Sequence, residues 1–64
     1  MKSQIYSMGG AIVYQTEWQG RQFRAIVKAG KPTRLQGLHG DGKWIRYLNR
    51  HVKTVIALCK SDLQ

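Results

Sequence analysis

The sequence predicts an α+β domain: a small three-stranded antiparallel meander packed by one C-terminal amphipathic helix. Three observations carry that expectation. "AIVYQTEW" and "RQFRAIVK" alternate apolar and polar residues with the period of a half-buried strand, on either side of the turn dipeptide Gln19-Gly20. "TRLQGLH" repeats the pattern more weakly beyond a second break at "AGKP". Residues 43 to 60 then fit a helical period.

The first hairpin is the best specified. A two-residue loop at Gln19-Gly20 pairs Trp18 with Arg21, Thr16 with Phe23, Tyr14 with Ala25 and Ile12 with Val27. Both apolar sets then fall on one face, and turn chemistry agrees with pattern. The opposite face carries Gln15, Glu17, Gln22, Arg24 and Lys28, with Val13 and Ile26 between them. Glu17 and Arg24 are placed to meet diagonally across the strands. The third strand has an uncertain register because Gly37 interrupts it. Residues 1–10 stay between two readings, a loose arm or an extra short strand at "IYSM".

"DGKWIRYLNRHVKTVIALCK" poses the main choice. Asp41-Gly42 is a hairpin turn signal, and Asp41 is also a good helix N-cap. A two-residue turn pairs His39 with Trp44, Leu38 with Ile45, Gln36 with Tyr47 and Leu35 with Leu48. Both faces of that hairpin mix apolar and charged groups. Wound at 100° per residue, Trp44, Ile45, Leu48, Val52, Val55, Ile56 and Cys59 gather on one side. Lys43, Arg46, Asn49, Arg50, Lys53, Thr54 and Lys60 gather on the other. The sequence therefore favours a helix from about Lys43 to Lys60, capped by Asp41, with Leu48, Val52 and Val55 buried. The helix covers the Tyr14, Phe23 and Val27 face of the sheet.

At 64 residues the chain forms one domain with a marginal core, and its single cysteine forms no internal disulfide. No apolar run approaches a membrane span, and "MKSQIYSMGG" does not read as a secretory signal. A lone cysteine fits a cytoplasmic location. The formal net charge is +8, with ten of the eleven Lys and Arg at Arg21 or later. Such an excess points to a polyanionic partner.

Few groups suit catalysis. No His, Cys, Asp or Glu pair has metal-ligand spacing, so neither a metal nor another cofactor is expected. Cys59 reads as a small buried hydrophobe and His51 as a structural histidine at the rim of the helix's apolar arc. "GLHGDGK" lacks phosphate-loop spacing, and Asp41 would repel an anion there. A non-enzymatic, nucleic-acid-binding accessory or regulatory protein is the leading expectation. DNA and RNA are both open. The alternative is an interaction module, an inhibitor or adaptor, docking a basic face on an acidic protein.

The candidate phosphate contacts form two sets. Lys43, Arg46, Arg50, Lys53 and Lys60 line the outer helix face. Arg24, Lys28 and Arg34 lie on the outer sheet face or its edges, with Arg21 and Lys31 at turns. The continuous helix stripe is expected to dominate binding. Gln15 and Gln22 are candidates for base contacts, with Arg24 suited to guanine. The two sets point apart, so a homodimer, seamed by Val13, Ile26 and Leu35, is one way to unite them. Aromatics are not interleaved with these charges, against a stacking platform for single strands.

From residue 11 to 60, the order strand, strand, strand, helix, with "LQG" before the helix, resembles the β-sheet DNA-binding domains of the plant AP2 type and integrase arm-binding modules. That likeness implies a sheet that enters a DNA groove. A competing likeness rests on "RLQG" with a β reading of "WIRYLN" and "HVKTVIAL". It is to the bacterial Sm-like RNA chaperones, which implies an N-terminal helix and a bent five-stranded barrel.

Overall fold

The sheet has five strands rather than three. In the computed structural model, which describes residues 3–64, β1 spans Gln4–Met8, β2 Ala11–Trp18, β3 Arg21–Val27, β4 Arg34–Leu38 and β5 Trp44–Tyr47. They form an antiparallel meander in chain order. A 3-10 turn at Asn49–His51 leads into helix α1, Val52–Asp62. The α+β class stands. The three-strand count is overturned at both ends of the sheet.

At the N-terminal end, Gly9-Gly10 closes a hairpin that pairs Met8 with Ala11 and Gln4 with Gln15. "IYSM" is thus strand, and Ser3 shares a 2.6 Å hydrogen bond with Thr16. Met1 and Lys2 lie outside the described residues. The β2–β3 hairpin has the expected register, Trp18 to Arg21 through Ile12 to Val27. Gln19 and Gly20 have φ of 52° and 74°, the two left-handed residues of a type I′ turn. Glycine adopts that region freely, whereas a β-branched residue resists it. Gly20→Val should therefore destabilise the protein by roughly 1 kcal/mol or more, read as a lowered thermal midpoint. An unchanged midpoint would mean the turn tolerates the side chain.

The expected helix over residues 43 to 60 is half wrong. Leu38 pairs with Trp44, Gln36 with Arg46 and Leu35 with Tyr47, making β4 and β5 a hairpin. His39 N–H donates to Lys43 O, and Gly42 N–H donates to His39 O, both at 2.9 Å. The loop is Gly40, Asp41 and Gly42, a tight turn followed by one left-handed residue. It is one residue longer than a two-residue turn, and that shifts the pairing by one. A one-residue slip exchanges the faces of a strand. The mixed faces of the shorter turn become segregated: Leu35 and Tyr47 on one side, Gln36 and Arg46 on the other. Asp41 does accept from a backbone amide, that of Lys43 at 3.1 Å, but inside the turn and not at a helix end.

Helix α1 packs across β2 and β3. Val52 and Val55 join Phe23, Ala25 and Leu35 in the core, with Tyr14, Trp18, Tyr47 and Ile56 packed around them. Cys59 is fully buried. Leu48, expected inside, is 60% exposed in the connection between sheet and helix. Leu35 belongs to this core, and Val13 on the opposite face has no exposed surface. The dimer seam of Val13, Ile26 and Leu35 is therefore not available. No helix among the described residues is long and apolar enough to cross a membrane.

Candidate nucleic-acid interface

A sheet with one helix has one face left without a covering element. Here that face carries Tyr6, Gln15, Gln22, Arg24, Arg34, Gln36, Trp44 and Arg46, as the strand registers require. Across its middle runs a row from β1 to β5: Gln4, Gln15, Arg24, Gln36 and Arg46. Ile26 and Val13 form an apolar floor at one end, beside Tyr6 and Arg34.

The polar groups of this face are ordered by one another. Tyr6 O–H donates to Gln15 Oε1 at 2.7 Å, and Gln15 Nε2 donates to Gln22 Oε1 at 3.5 Å. Arg24 Nε donates to Gln36 Oε1 at 2.7 Å. Its guanidinium lies 4.2 Å from the centroid of the Trp44 ring. One nitrogen and one planar face of Arg24 are thus engaged, which restricts its rotamers. Arg24 reaches toward β4 and β5, away from the expected partner Glu17 on β2. Among the described residues, no hydrogen bond engages the terminal nitrogens of Arg24 or the amide nitrogens of Gln22 and Gln36. The face therefore offers donors, which suits a ligand rich in acceptor oxygens.

At the β3–β4 connection, Lys28, Lys31, Pro32 and Arg34 line a recess of about 220 Å³ with Ile26. It continues the face toward its most basic corner. The acid on the same face is Glu17, at the opposite end of β2.

The expected helix stripe does not exist. Arg46 belongs to β5 and joins Arg24 and Arg34 on the sheet. Lys43 is in the β4–β5 connection and Arg50 in the 3-10 turn, where its Nε donates to His51 Nε2 at 3.4 Å. Lys53 and Lys60 are on α1, with Lys60 Nζ 5.6 Å from the Tyr14 ring centroid. The two basic sets are redistributed so that the sheet holds the denser one. A homodimer is no longer needed to bring Arg46 beside Arg24. The expected absence of aromatics among the charges is also corrected, because Trp44 lies under the Arg24 guanidinium and two residues from Arg46 on the same side of β5. A three-residue loop at Gly40–Gly42 is the signal that would have placed it there.

The remaining reactive groups are occupied structurally. The Cys59 thiol donates to the carbonyls of Gln4 and Gln15, each at 3.5 Å. Burial pushes its pKa up, so it stays protonated. His51 packs on Trp18 with ring centroids 5.2 Å apart, and His39 lies 6.2 Å from Tyr47. No group of three or more His, Cys, Asp or Glu that could hold a metal ion occurs among the described residues.

No family model, curated protein or solved structure matches the chain. The geometry itself argues against the AP2-type likeness, whose three-stranded sheet becomes five strands here. The Sm-like likeness fares no better. "WIRY" is strand as it implies, but "HVKTVIAL" lies mostly in α1.

Proposed function

We propose that the protein is a small, non-catalytic nucleic-acid-binding factor, accessory or regulatory in role, that takes its ligand on the open sheet face. The observation that carries this reading is the outer face of β1–β5, where Arg24, Arg34 and Arg46 stand beside the Gln22 and Gln36 amide nitrogens, which donate no hydrogen bond among the described residues. Lys28 and Lys31 extend the same potential at its corner. Cations concentrated on one face attract a phosphate backbone and release its counterions. The reading places the protein in the cytoplasm, a reducing compartment in which the lone thiol stays free.

Arg24→Glu with Arg46→Glu should weaken binding of a nucleic acid roughly tenfold or more at about 50 mM salt. It should also make the fall in affinity with added salt shallower. Lys53→Glu with Lys60→Glu, on the helix, should do less. Equilibrium titrations at several salt concentrations decide between the faces. A larger loss from the helix pair would move the interface to α1. No loss from either pair would leave the charge as solvation, and a complex with an acidic protein, stable to nuclease, would become the better account.

A further inference from the structure

From the width and composition of the open face, and resting on the nucleic-acid reading above, we infer that the ligand is single-stranded and that one of its bases stacks at Trp44. Adjacent strands lie about 4.8 Å apart, so five of them span about 19 Å. The major groove of a B-form duplex is about 12 Å wide and the minor groove about 6 Å. A groove that admits a two-stranded ribbon does not admit this sheet. Broad sheets do sit on a minor groove when they wedge apolar side chains between base steps and bend the duplex. The middle row of this face is Gln15, Arg24 and Gln36, and its apolar neighbours lie low, Val13 buried and Ile26 half-buried, so no exposed apolar wedge stands at its centre.

An unpaired strand needs no groove. It lays its phosphates along cations and turns its bases onto flat aromatic or guanidinium surfaces. The face supplies both within one side-chain length. Trp44 and Arg24 are already stacked, and Arg46 is two residues from Trp44 on the same side of β5. Gln36, next to Arg46 in the row, holds Arg24 in place through its Oε1 and keeps its amide nitrogen for the edge of a base. Trp18 has no part in this, since it packs on Phe23 beneath the helix, 5.4 Å between centroids.

The test uses single-stranded DNA and RNA oligonucleotides of about 12 nucleotides and the duplex formed by the DNA strand. Single strands should bind more tightly than the duplex and quench tryptophan fluorescence. Trp44→Leu, which keeps an apolar cover but removes the ring, should cost about tenfold in single-strand affinity. Trp44→Phe should retain most of the affinity and lose the quenching, while Trp18, half-buried against Phe23, reports an intact fold in both variants. Duplex binding equal to or tighter than that of the single strands overturns the inference. So does a Trp44→Leu variant of unchanged affinity. If Arg24→Glu with Arg46→Glu still weakens binding in either case, the sheet-face function stands and only the single-strand assignment falls. A protein that binds none of the three ligands removes both.

Discussion

Val55→Asp is expected to abolish the folded state at room temperature. Val55 has no exposed surface and sits where α1 meets Phe23, Ala25 and Leu35. A carboxylate there meets only apolar groups. An unpaired charge in such a site costs several kcal/mol, or forces the group to protonate at nearly the same cost. A chain of 64 residues has a total stability of only about 3–10 kcal/mol. The deficit therefore consumes most of the available stability. Circular dichroism should show no cooperative melt. Arg50→Ala is the control, since Arg50 is exposed and its side chain donates, among the described residues, to its neighbour His51. It should shift stability by less than about 0.5 kcal/mol. A cooperative Val55→Asp melt near the wild-type temperature would mean that α1 does not close the core as described.

Gly37→Ala should destabilise by about 1–3 kcal/mol, although alanine normally suits a strand better than glycine does. A methyl group at Gly37 would stand 2.6 Å from Tyr47 Cε1 and 3.1 Å from Phe23 Cε1. Neither ring retreats easily. Phe23 and Tyr47 meet edge to face with centroids 5.0 Å apart, and Arg21 Nη1 donates to the Tyr47 hydroxyl. The overlap outweighs the usual strand preference and reverses its sign. The clash also predicts non-additivity: Gly37→Ala should cost much less in a Tyr47→Ala background. A double-mutant cycle from chemical denaturation measures that difference. Full additivity would show that the two positions do not touch.

Gly37 illustrates why part of the site was illegible. In the sequence it is a gap that blurs the register of the third strand. In the structure it is the floor on which two aromatic rings rest, and it can be read only once Tyr47 is known to lie opposite Leu35. The same pairing delivers Trp44 and Arg46 to the open face. The face on which Gln15, Gln22 and Arg24 lie follows from residues 11 to 28 alone, because their hairpin is closed by a local turn. That of Arg46 does not, since it depends on the pairing with β4.

The sequence by itself determined the β2–β3 hairpin to the residue and the identity of its two faces. The turn dipeptide and the alternation of two are both local, and they agree. It also determined the amphipathic run from Val52 to Cys59, where Val52, Val55 and Cys59 recur at helical spacing and are buried. What only the tertiary structure decided was residues 43 to 48. Trp44, Ile45 and Leu48 extend the helical pattern backward, but a helix there would leave the far edge of β4 unpaired. The loop at Gly40–Gly42 returns the chain at the one register that puts Tyr47 against Phe23 and Arg46 against Gln36. Backbone pairing along β4 and the burial of one ring outweigh an apolar stripe worth little without a surface to cover. That choice moved Arg46 and Trp44 from the expected helix to the sheet, and with them the candidate interface.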